Sequence, residues 1–265
     1  MKDKITTIKL LQMKEKGEKI AALTAYDYIT AKILDESGID VILVGDSAAN
    51  VFAGYEYTLK ISMEEMLYHT RAVKNGVERA LIVADMPFLS YQCSLNSAVR
   101  NAGNFLKEGA SAVKLEGGVP VVSIVKRLVD SGIPVMGHIG LTPQSVHKLG
   151  GYKLRGNTPE EEKELLEDAL ALQNAGVFSI VLEKIISECA KKISEKLKIP
   201  TIGIGAGKYC DGQILVSADM LGLNKEFHPK FLHIYADIYD NMMIAFTNYI
   251  KDVKEQKFPS KEESY

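Results

Sequence analysis

The sequence predicts a (β/α)8 TIM barrel, formed by a single catalytic domain over residues 1–265. Short apolar runs rich in β-branched residues recur along the chain. Helical segments separate them at intervals of about 20 to 45 residues, the alternation that is typical of β/α folds. The chain length also agrees with the usual size of this barrel, about 250 residues. A doubly wound open sheet is the competing arrangement, because it uses the same alternation.

Seven apolar runs are predicted to be parallel strands, since continuous apolar sequence is typical of strands that are covered on both faces. They are IAALTA (20–25), VILVG (41–45), ALIVA (80–84), SAVKL (111–115), IPVMG (133–137), FSIVL (178–182) and IPTIGIG (199–205). A closed barrel needs an eighth strand. The segment QILVSADMLG (213–222) is the candidate for it.

Helical segments lie between and around these runs. Residues 6–17 precede the first strand and are predicted to form a helix that covers the bottom of the barrel. Ser62, with Glu65 three residues later, has the pattern of a capping box, and that helix is expected to stop at Gly76. Residues 231–253 are predicted to form a C-terminal helix, and the charged residues 254–265 a mobile tail.

Charge and cysteine content exclude several classes of function. The 32 basic and 34 acidic residues give a net charge of −2, which does not favour nucleic acid or a membrane surface as a partner. The three cysteines are far apart and suggest neither disulfides nor a zinc site. No apolar run approaches the roughly 20 residues that span a bilayer, and the N-terminus does not resemble a secretory signal. We therefore expect a cytoplasmic protein with small-molecule partners.

Acidic residues follow four of the predicted strands at the point where each strand ends. They are Asp46, Asp85, Glu116 and Glu183. The C-terminal ends of the strands form the active site in barrels of this type, although any one acid could instead cap the following helix. Several carboxylates on one rim repel each other unless a cation lies among them. Mg²⁺ is the cation that this donor set favours.

Three further side chains near the strand ends are candidates for the site. Lys114 faces the same side of its strand as Glu116. It either neutralises a substrate carboxylate or a developing enolate, or forms a structural ion pair. His138 is a candidate substrate-binding residue or a hydrogen-bonded structural group. Ser47 either binds substrate or caps a helix, and the long segment 140–157 is typical of a mobile cover over a site.

Nine segments, in order from Thr24 to Leu223, resemble the ketopantoate hydroxymethyltransferase family. They are LVGDS, HTRAVKNG, ADMPF, VKLEGG, GHIGLTPQS, GGYKLRG, VLE, IPTIGIGAG and DGQILV. This resemblance implies a (β/α)8 barrel with one Mg²⁺ per subunit. It also implies 5,10-methylenetetrahydrofolate as the one-carbon donor and 3-methyl-2-oxobutanoate as the acceptor. The product would be ketopantoate, a precursor of pantothenate and coenzyme A, and the assembly a homodecamer of two pentamer rings.

The resemblance also implies roles for individual residues. The metal site would be formed by Asp46, Asp85 and Glu116. The keto-acid contacts would come from Ser47, Asp46, Asp85 and Lys114. Glu183 would be the general base that removes the proton from C3 of the acceptor.

Two positions depart from the family pattern. Lys60 stands where a proline is usual, and Lys184 begins a Lys-Ile-Ile segment where Cys-Val-Pro is usual. Two other functions remain open from the residues alone. One is a Mg²⁺-dependent aldolase or carbon–carbon lyase, and the other is a non-catalytic barrel that acts as a scaffold.

Overall fold

The computed structural model describes residues 3–265. The chain divides into two compact units, with the boundary between Val216 and Ser217. The first unit contains the barrel, and the second contains the C-terminal helix. A single catalytic domain over residues 1–265 and a mobile tail over residues 254–265 stay predictions.

The first unit is a closed barrel of eight parallel strands in sequential order, which confirms the predicted fold and excludes the doubly wound sheet. The strands are β1 (Ile20–Thr24), β2 (Val41–Val44), β3 (Leu81–Asp85), β4 (Ala112–Glu116), β5 (Val135–Gly140), β6 (Ser179–Glu183), β7 (Thr201–Ile204) and β8 (Gly212–Leu215). The barrel closes where Gly212 pairs with Ile20. A Cβ atom on Gly212 would lie 2.5 Å from the carbonyl oxygen of Ile20, so the closure requires glycine.

Helices connect the strands of the first unit. They are α1 (Thr7–Lys16), α2 (Tyr28–Glu36), α3 (Ala48–Val51), α4 (Met63–Gly76), α5 (Leu95–Lys107), α6 (Val122–Asp130), α7 (Val146–Leu149), α8 (Pro159–Ala175) and α9 (Ser187–Lys196). The predicted capping box is present, because Ser62 and Glu65 exchange side-chain-to-backbone hydrogen bonds at the start of α4. No helix within residues 3–265 is long and apolar enough to cross a membrane.

The N-terminal helix covers the bottom of the barrel, as predicted. Leu10 and Met13 of α1 belong to the same buried apolar cluster as the residues that begin the strands, among them Ile20, Val41 and Leu81. The helix begins at the N-cap Thr6 and ends at Gly17, whose φ of 73° is left-handed. The barrel core is therefore closed at the end opposite to the predicted acidic rim.

Gly76 is the last residue of α4, as predicted, but it is not a left-handed cap. A Cβ atom at Gly76 would lie 2.6 Å from the carbonyl oxygen of Tyr28 and 2.9 Å from the backbone nitrogen of Lys32. The glycine thus permits close packing between α2 and α4.

Two predicted boundaries in the C-terminal part of the chain are wrong. The candidate strand 213–222 is a strand only to Leu215, and α10 (Ser217–Met220) follows it. The C-terminal helix is α11 (Ile238–Lys254) and does not begin at residue 231. Residues 231–237 are not helical, and the backbone N–H of Tyr235 donates to the oxygen of Met220 in place of a helical partner. No residue of α11 itself is buried.

Candidate active site

The barrel brings six of the predicted side chains to the C-terminal ends of five neighbouring strands. Asp46 follows β2, Asp85 ends β3, Lys114 and Glu116 lie in β4, His138 lies in β5 and Glu183 ends β6. Strand register sets their order, because Asp85 pairs with Lys114 and Glu116 pairs with His138. All are buried except Glu183, whose side chain is 21% exposed.

Lys114 is the cation at the centre of this group. Its Nζ atom lies 2.6 Å from Oδ1 of Asp85 and 4.0 Å from Oε1 of Glu116. Burial alone would lower the pKa of Lys114, but the charges of Asp85, Glu116 and Asp46 raise it above its ordinary value. The side chain is therefore a fixed ammonium. Lys114 thus forms the ion pair that was one of its two predicted roles, and this pair with Asp85 lies within the candidate site.

The three buried carboxyl groups differ in how easily they ionise. Burial, followed by the charges of Asp85 and Glu116, raises the pKa of Asp46 well above its ordinary value. Burial also raises the pKa of Asp85, although the Lys114 ammonium opposes the shift. Burial would raise the pKa of Glu116 too, but His138, Lys114 and a backbone N–H lower it overall. The three carboxyl groups thus lie close together around the single ammonium of Lys114.

His138 connects the two sides of the site. Its Nδ1 atom lies 3.1 Å from Nζ of Lys114, and its Nε2 atom lies 3.2 Å from Oε2 of Glu183. Burial and the Lys114 charge lower the pKa of His138, but the nearby carboxylates of Glu116 and Glu183 outweigh them and raise this pKa to about 9. The imidazole therefore lies between the buried cluster and the Glu183 carboxylate.

The helix-capping alternative receives no support at Asp46 and Ser47. Ser47 occupies the N-cap position of α3, but its side chain makes no capping hydrogen bond to that fully described helix. Its hydroxyl lies 2.8 Å from the hydroxyl of Tyr26. The carboxylate of Asp46 accepts a hydrogen bond from a side-chain amide, that of Gln144, at 2.9 Å.

Two buried residues of the site, Gln144 and Tyr91, were not predicted from the sequence. Gln144 lies in a 3₁₀ turn (Pro143–Ser145) after β5, and its backbone N–H donates to Oε2 of Glu116 at 2.9 Å. The Tyr91 hydroxyl lies 3.0 Å from Oε1 of Gln144 and accepts from the backbone N–H of Glu116. Gln144 lies inside the segment GHIGLTPQS, which was a usable signal. Tyr91 had none.

The segment 140–157 is held against the loop that follows β6. Backbone hydrogen bonds join Arg155 to Lys184 and Ile186, and Nζ of Lys184 donates to the carbonyl oxygen of Tyr152 at 2.5 Å. Burial, followed by the charge of Glu183, raises the pKa of Tyr152. Lys184 thus binds the segment that was predicted to cover the site.

The three carboxylates fit a hard divalent cation in their donor chemistry, because carboxylate oxygens are the ligands that Mg²⁺ prefers. Oε1 of Glu116 is buried and has no hydrogen-bond partner within residues 3–265. A cation would also relieve the repulsion that raises the pKa of Asp46. Across the same residues, no group of three or more His, Cys, Asp or Glu side chains is arranged so that it could hold a metal ion, so the fit rests on the chemistry of the donors and not on their spacing.

Comparison with known proteins supports the resemblance. The family model described as ketopantoate hydroxymethyltransferase matches residues 4–261. A relative from Chlorobium phaeobacteroides (strain BS1), named 3-methyl-2-oxobutanoate hydroxymethyltransferase, is 56% identical over 98% of this chain and 96% of its own. A relative of the same name from Thermoanaerobacter pseudethanolicus is 54% identical over 100% of this chain and 97% of its own. The resemblance is therefore confirmed.

Solved structures show the same fold at low identity. A phosphonopyruvate hydrolase, solved with oxalate and Mg²⁺, has a TM-score of 0.62 and 13% identity, over 97% of this chain and 93% of its own. A 2,3-dimethylmalate lyase has a TM-score of 0.59 and 15% identity, over 97% of this chain and 91% of its own. At this identity the likeness shows the barrel fold alone.

Proposed function

The chain belongs to the ketopantoate hydroxymethyltransferase family and is a transferase. On that premise, we propose that it transfers a one-carbon unit from 5,10-methylenetetrahydrofolate to C3 of 3-methyl-2-oxobutanoate through an enolate, giving ketopantoate. The observation that carries this proposal is the buried cluster of three carboxylates and Lys114, which His138 connects to the partly exposed Glu183. In this arrangement the buried charged groups would bind the substrate, and the more exposed Glu183 would act as the base.

The buried cluster is suited to bind an α-keto acid. Mg²⁺ held by Asp46, Asp85 and Glu116 would supply Lewis-acid polarisation of the keto oxygen. Lys114 holds a permanent positive charge in a pocket where it is 3% exposed. In such a water-poor place, a fixed charge stabilises a substrate carboxylate and developing enolate charge more strongly than it would in water. Ser47, beside Asp46, offers a hydroxyl for the same substrate.

Glu183 is the group that would remove the C3 proton. Its side chain is 21% exposed, so a substrate can reach it, whereas the other carboxylates of the site are buried. Nε2 of His138 lies 3.2 Å from Oε2 of this carboxylate, so the imidazole can form an ion pair with it. A carboxylate positioned in this way can act as a general base. The enolate carbon would then bond to the folate methylene carbon while one of the two C–N bonds of that carbon breaks. One water would add its oxygen to the same carbon as the second C–N bond breaks. The proton from C3 and one proton of the water end on the two folate nitrogens, and tetrahydrofolate leaves.

The test is product formation with each component left out in turn. Ketopantoate would be measured by mass spectrometry after incubation of the chelator-treated protein with 3-methyl-2-oxobutanoate. We expect product only when Mg²⁺ and methylenetetrahydrofolate are both added. An aldolase or lyase that uses the same metal would act without folate. Product formation that does not need folate would therefore contradict this proposal.

We also propose that the enzyme is cytoplasmic and assembles as a homodecamer of two pentamer rings, as the family resemblance implies. The exposed apolar side chains of α11, among them Met243, Ile244 and Phe246, support self-association because contiguous exposed apolar side chains often mark an interface. Light scattering should give the mass of ten 29.2 kDa chains. A monomeric mass at micromolar concentration would contradict the assembly.

A further inference from the structure

We propose that Gln144 is a positioning residue that fixes the orientation of two of the proposed metal ligands, Asp46 and Glu116. This inference rests on the proposed function, because it assumes that these carboxylates hold a cation. Gln144 lies after β5, on a segment that none of the carboxylates shares. It acts through the ligands and does not itself touch a reacting atom.

One residue reaches carboxylates on two strands that are not neighbours. The backbone N–H of Gln144 donates to Oε2 of Glu116 at 2.9 Å, and its Nε2 atom donates to Oδ2 of Asp46 at 2.9 Å. Asp46 follows β2 and Glu116 ends β4, so β3 lies between them in the barrel. The two hydrogen bonds occupy one oxygen of each carboxylate. Oε1 of Glu116 is left buried and without a hydrogen-bond partner in the described chain.

The side-chain amide of Gln144 is itself fixed by its other contacts. Nε2 also donates to the carbonyl oxygen of Met86 at 3.0 Å, and Oε1 accepts from the Tyr91 hydroxyl at 3.0 Å. The residue is 5% exposed, so water does not compete for these bonds. An amide with its donors and acceptor paired in this way has one orientation. The orientation of Asp46 follows from it.

A neutral amide is chemically suited to this task. A lysine or arginine at this position would neutralise the charge of Asp46, and a glutamate would add a fourth negative charge to the cluster. The side-chain amide donates a hydrogen bond to Asp46, and the backbone N–H donates one to Glu116. Neither donor is charged, so both carboxylates keep their full negative charge for a cation. Replacement of a residue that forms hydrogen bonds with metal ligands typically weakens metal binding by about 10- to 100-fold.

The test compares Gln144→Met with Gln173→Met. Methionine keeps the length of the side chain and removes the amide. Gln173 is the matched control because its amide accepts a hydrogen bond from the backbone N–H of Lys198, outside the site. Binding of Mn²⁺ to the chelator-treated protein, without substrates, would be measured by electron paramagnetic resonance. We expect Gln144→Met to bind Mn²⁺ about 10- to 100-fold more weakly than the wild type, and Gln173→Met to bind it equally.

Turnover supplies a second readout. In Gln144→Met, the Mg²⁺ concentration at half-maximal rate should rise by a similar factor, while kcat at saturating Mg²⁺ recovers. If Gln144→Met does not fold, Tyr91→Phe replaces it, since it removes the hydroxyl bound to Oε1 of Gln144. We expect Tyr91→Phe to weaken Mn²⁺ binding about 3- to 10-fold, as the loss of one hydrogen bond would do.

The outcomes separate this inference from the proposed function. A folded Gln144→Met that binds Mn²⁺ within twofold of the wild type overturns the inference, as does a wild type that binds no Mn²⁺. If the wild type binds Mn²⁺, Gln144→Met weakens that binding and no ketopantoate forms, the positioning role stands and the proposed reaction is wrong.

Discussion

Replacement of Lys114 by methionine tests the electrostatics of the buried cluster. Nζ of Lys114 lies 2.6 Å from Oδ1 of Asp85, and both side chains are almost inaccessible, at 4% and 2% exposed. Methionine keeps most of the apolar volume but removes the charge. Asp85 would then be a buried carboxylate without its cation, beside Asp46 and Glu116.

The expected cost follows from this burial. Removal of one partner from a buried ion pair destabilises a protein by about 3–5 kcal/mol, because the remaining charge stays buried. Burial already raises the pKa of Asp85 above 3.8, and loss of Lys114 raises it further. A carboxyl with a raised pKa binds more protons in the folded than in the unfolded state, so stability falls as pH rises above about 4. The cost should therefore be larger at pH 7.5 than at pH 5.

Urea unfolding at pH 5 and pH 7.5 measures this cost. Lys14→Met is the matched control, because Lys14 lies 2.7 Å from Asp211 in a more exposed ion pair with side chains 15% and 18% exposed. We expect a smaller loss of unfolding free energy in the control. Mg²⁺ should restore part of the stability lost in Lys114→Met. A Lys114→Met protein as stable as the wild type at pH 7.5, or equally destabilised at both pH values, would refute the reasoning.

Two further predictions concern stability outside the site. Asp219 is buried, its Oδ1 has no hydrogen-bond partner within residues 3–265, and burial raises its pKa from 3.8 to about 6. Asp219→Asn should therefore stabilise the protein by up to about 3 kcal/mol above pH 6, and the gain should fall towards zero at pH 4. Urea unfolding at pH 4 and pH 7.5 measures this gain, and equal gains at the two pH values would contradict the prediction. Gly76→Ala should destabilise by about 1–3 kcal/mol, because its Cβ would lie 2.6 Å from the oxygen of Tyr28. Gly103→Ala is the control, since Gly103 lies inside α5 with open space around its Cβ position, and should raise the melting temperature by helix propensity alone. A rise in melting temperature in Gly76→Ala as well would show that α2 and α4 do not pack so closely.

Much of the fold could be predicted because a buried parallel strand appears in the sequence as a short continuous apolar run. Seven apolar runs correspond to β1 to β7, and the acids that follow them lie on one rim because parallel strands end together. The eighth strand was less clear, since Gly212–Leu215 is short and is followed at once by α10. The start of α11 could not be predicted, because Tyr235 forms a hydrogen bond with Met220 in place of a helical turn.

The candidate site was only partly visible in the sequence. Residues at strand ends, such as Asp85 and Glu116, are placed by the barrel itself. Gln144 is placed by the path of a loop, and Tyr91 reaches the site from the segment after β3. Such contacts depend on tertiary structure and leave no periodic pattern. The link from His138 to Glu183 also required coordinates, because it joins side chains on two strands.

Exchange of the C3 proton of 3-methyl-2-oxobutanoate in D₂O tests the central claim most directly. The reaction would be followed by NMR with Mg²⁺ and tetrahydrofolate present, for the wild type, Glu183→Gln and Glu188→Gln. Glu188 is the matched control, because it is an exposed carboxylate on α9. We expect Mg²⁺-dependent exchange in the wild type and in Glu188→Gln, and a loss of about 100-fold or more in Glu183→Gln, which should still bind Mn²⁺. Exchange at the wild-type rate in Glu183→Gln would contradict the assignment of Glu183 as the base.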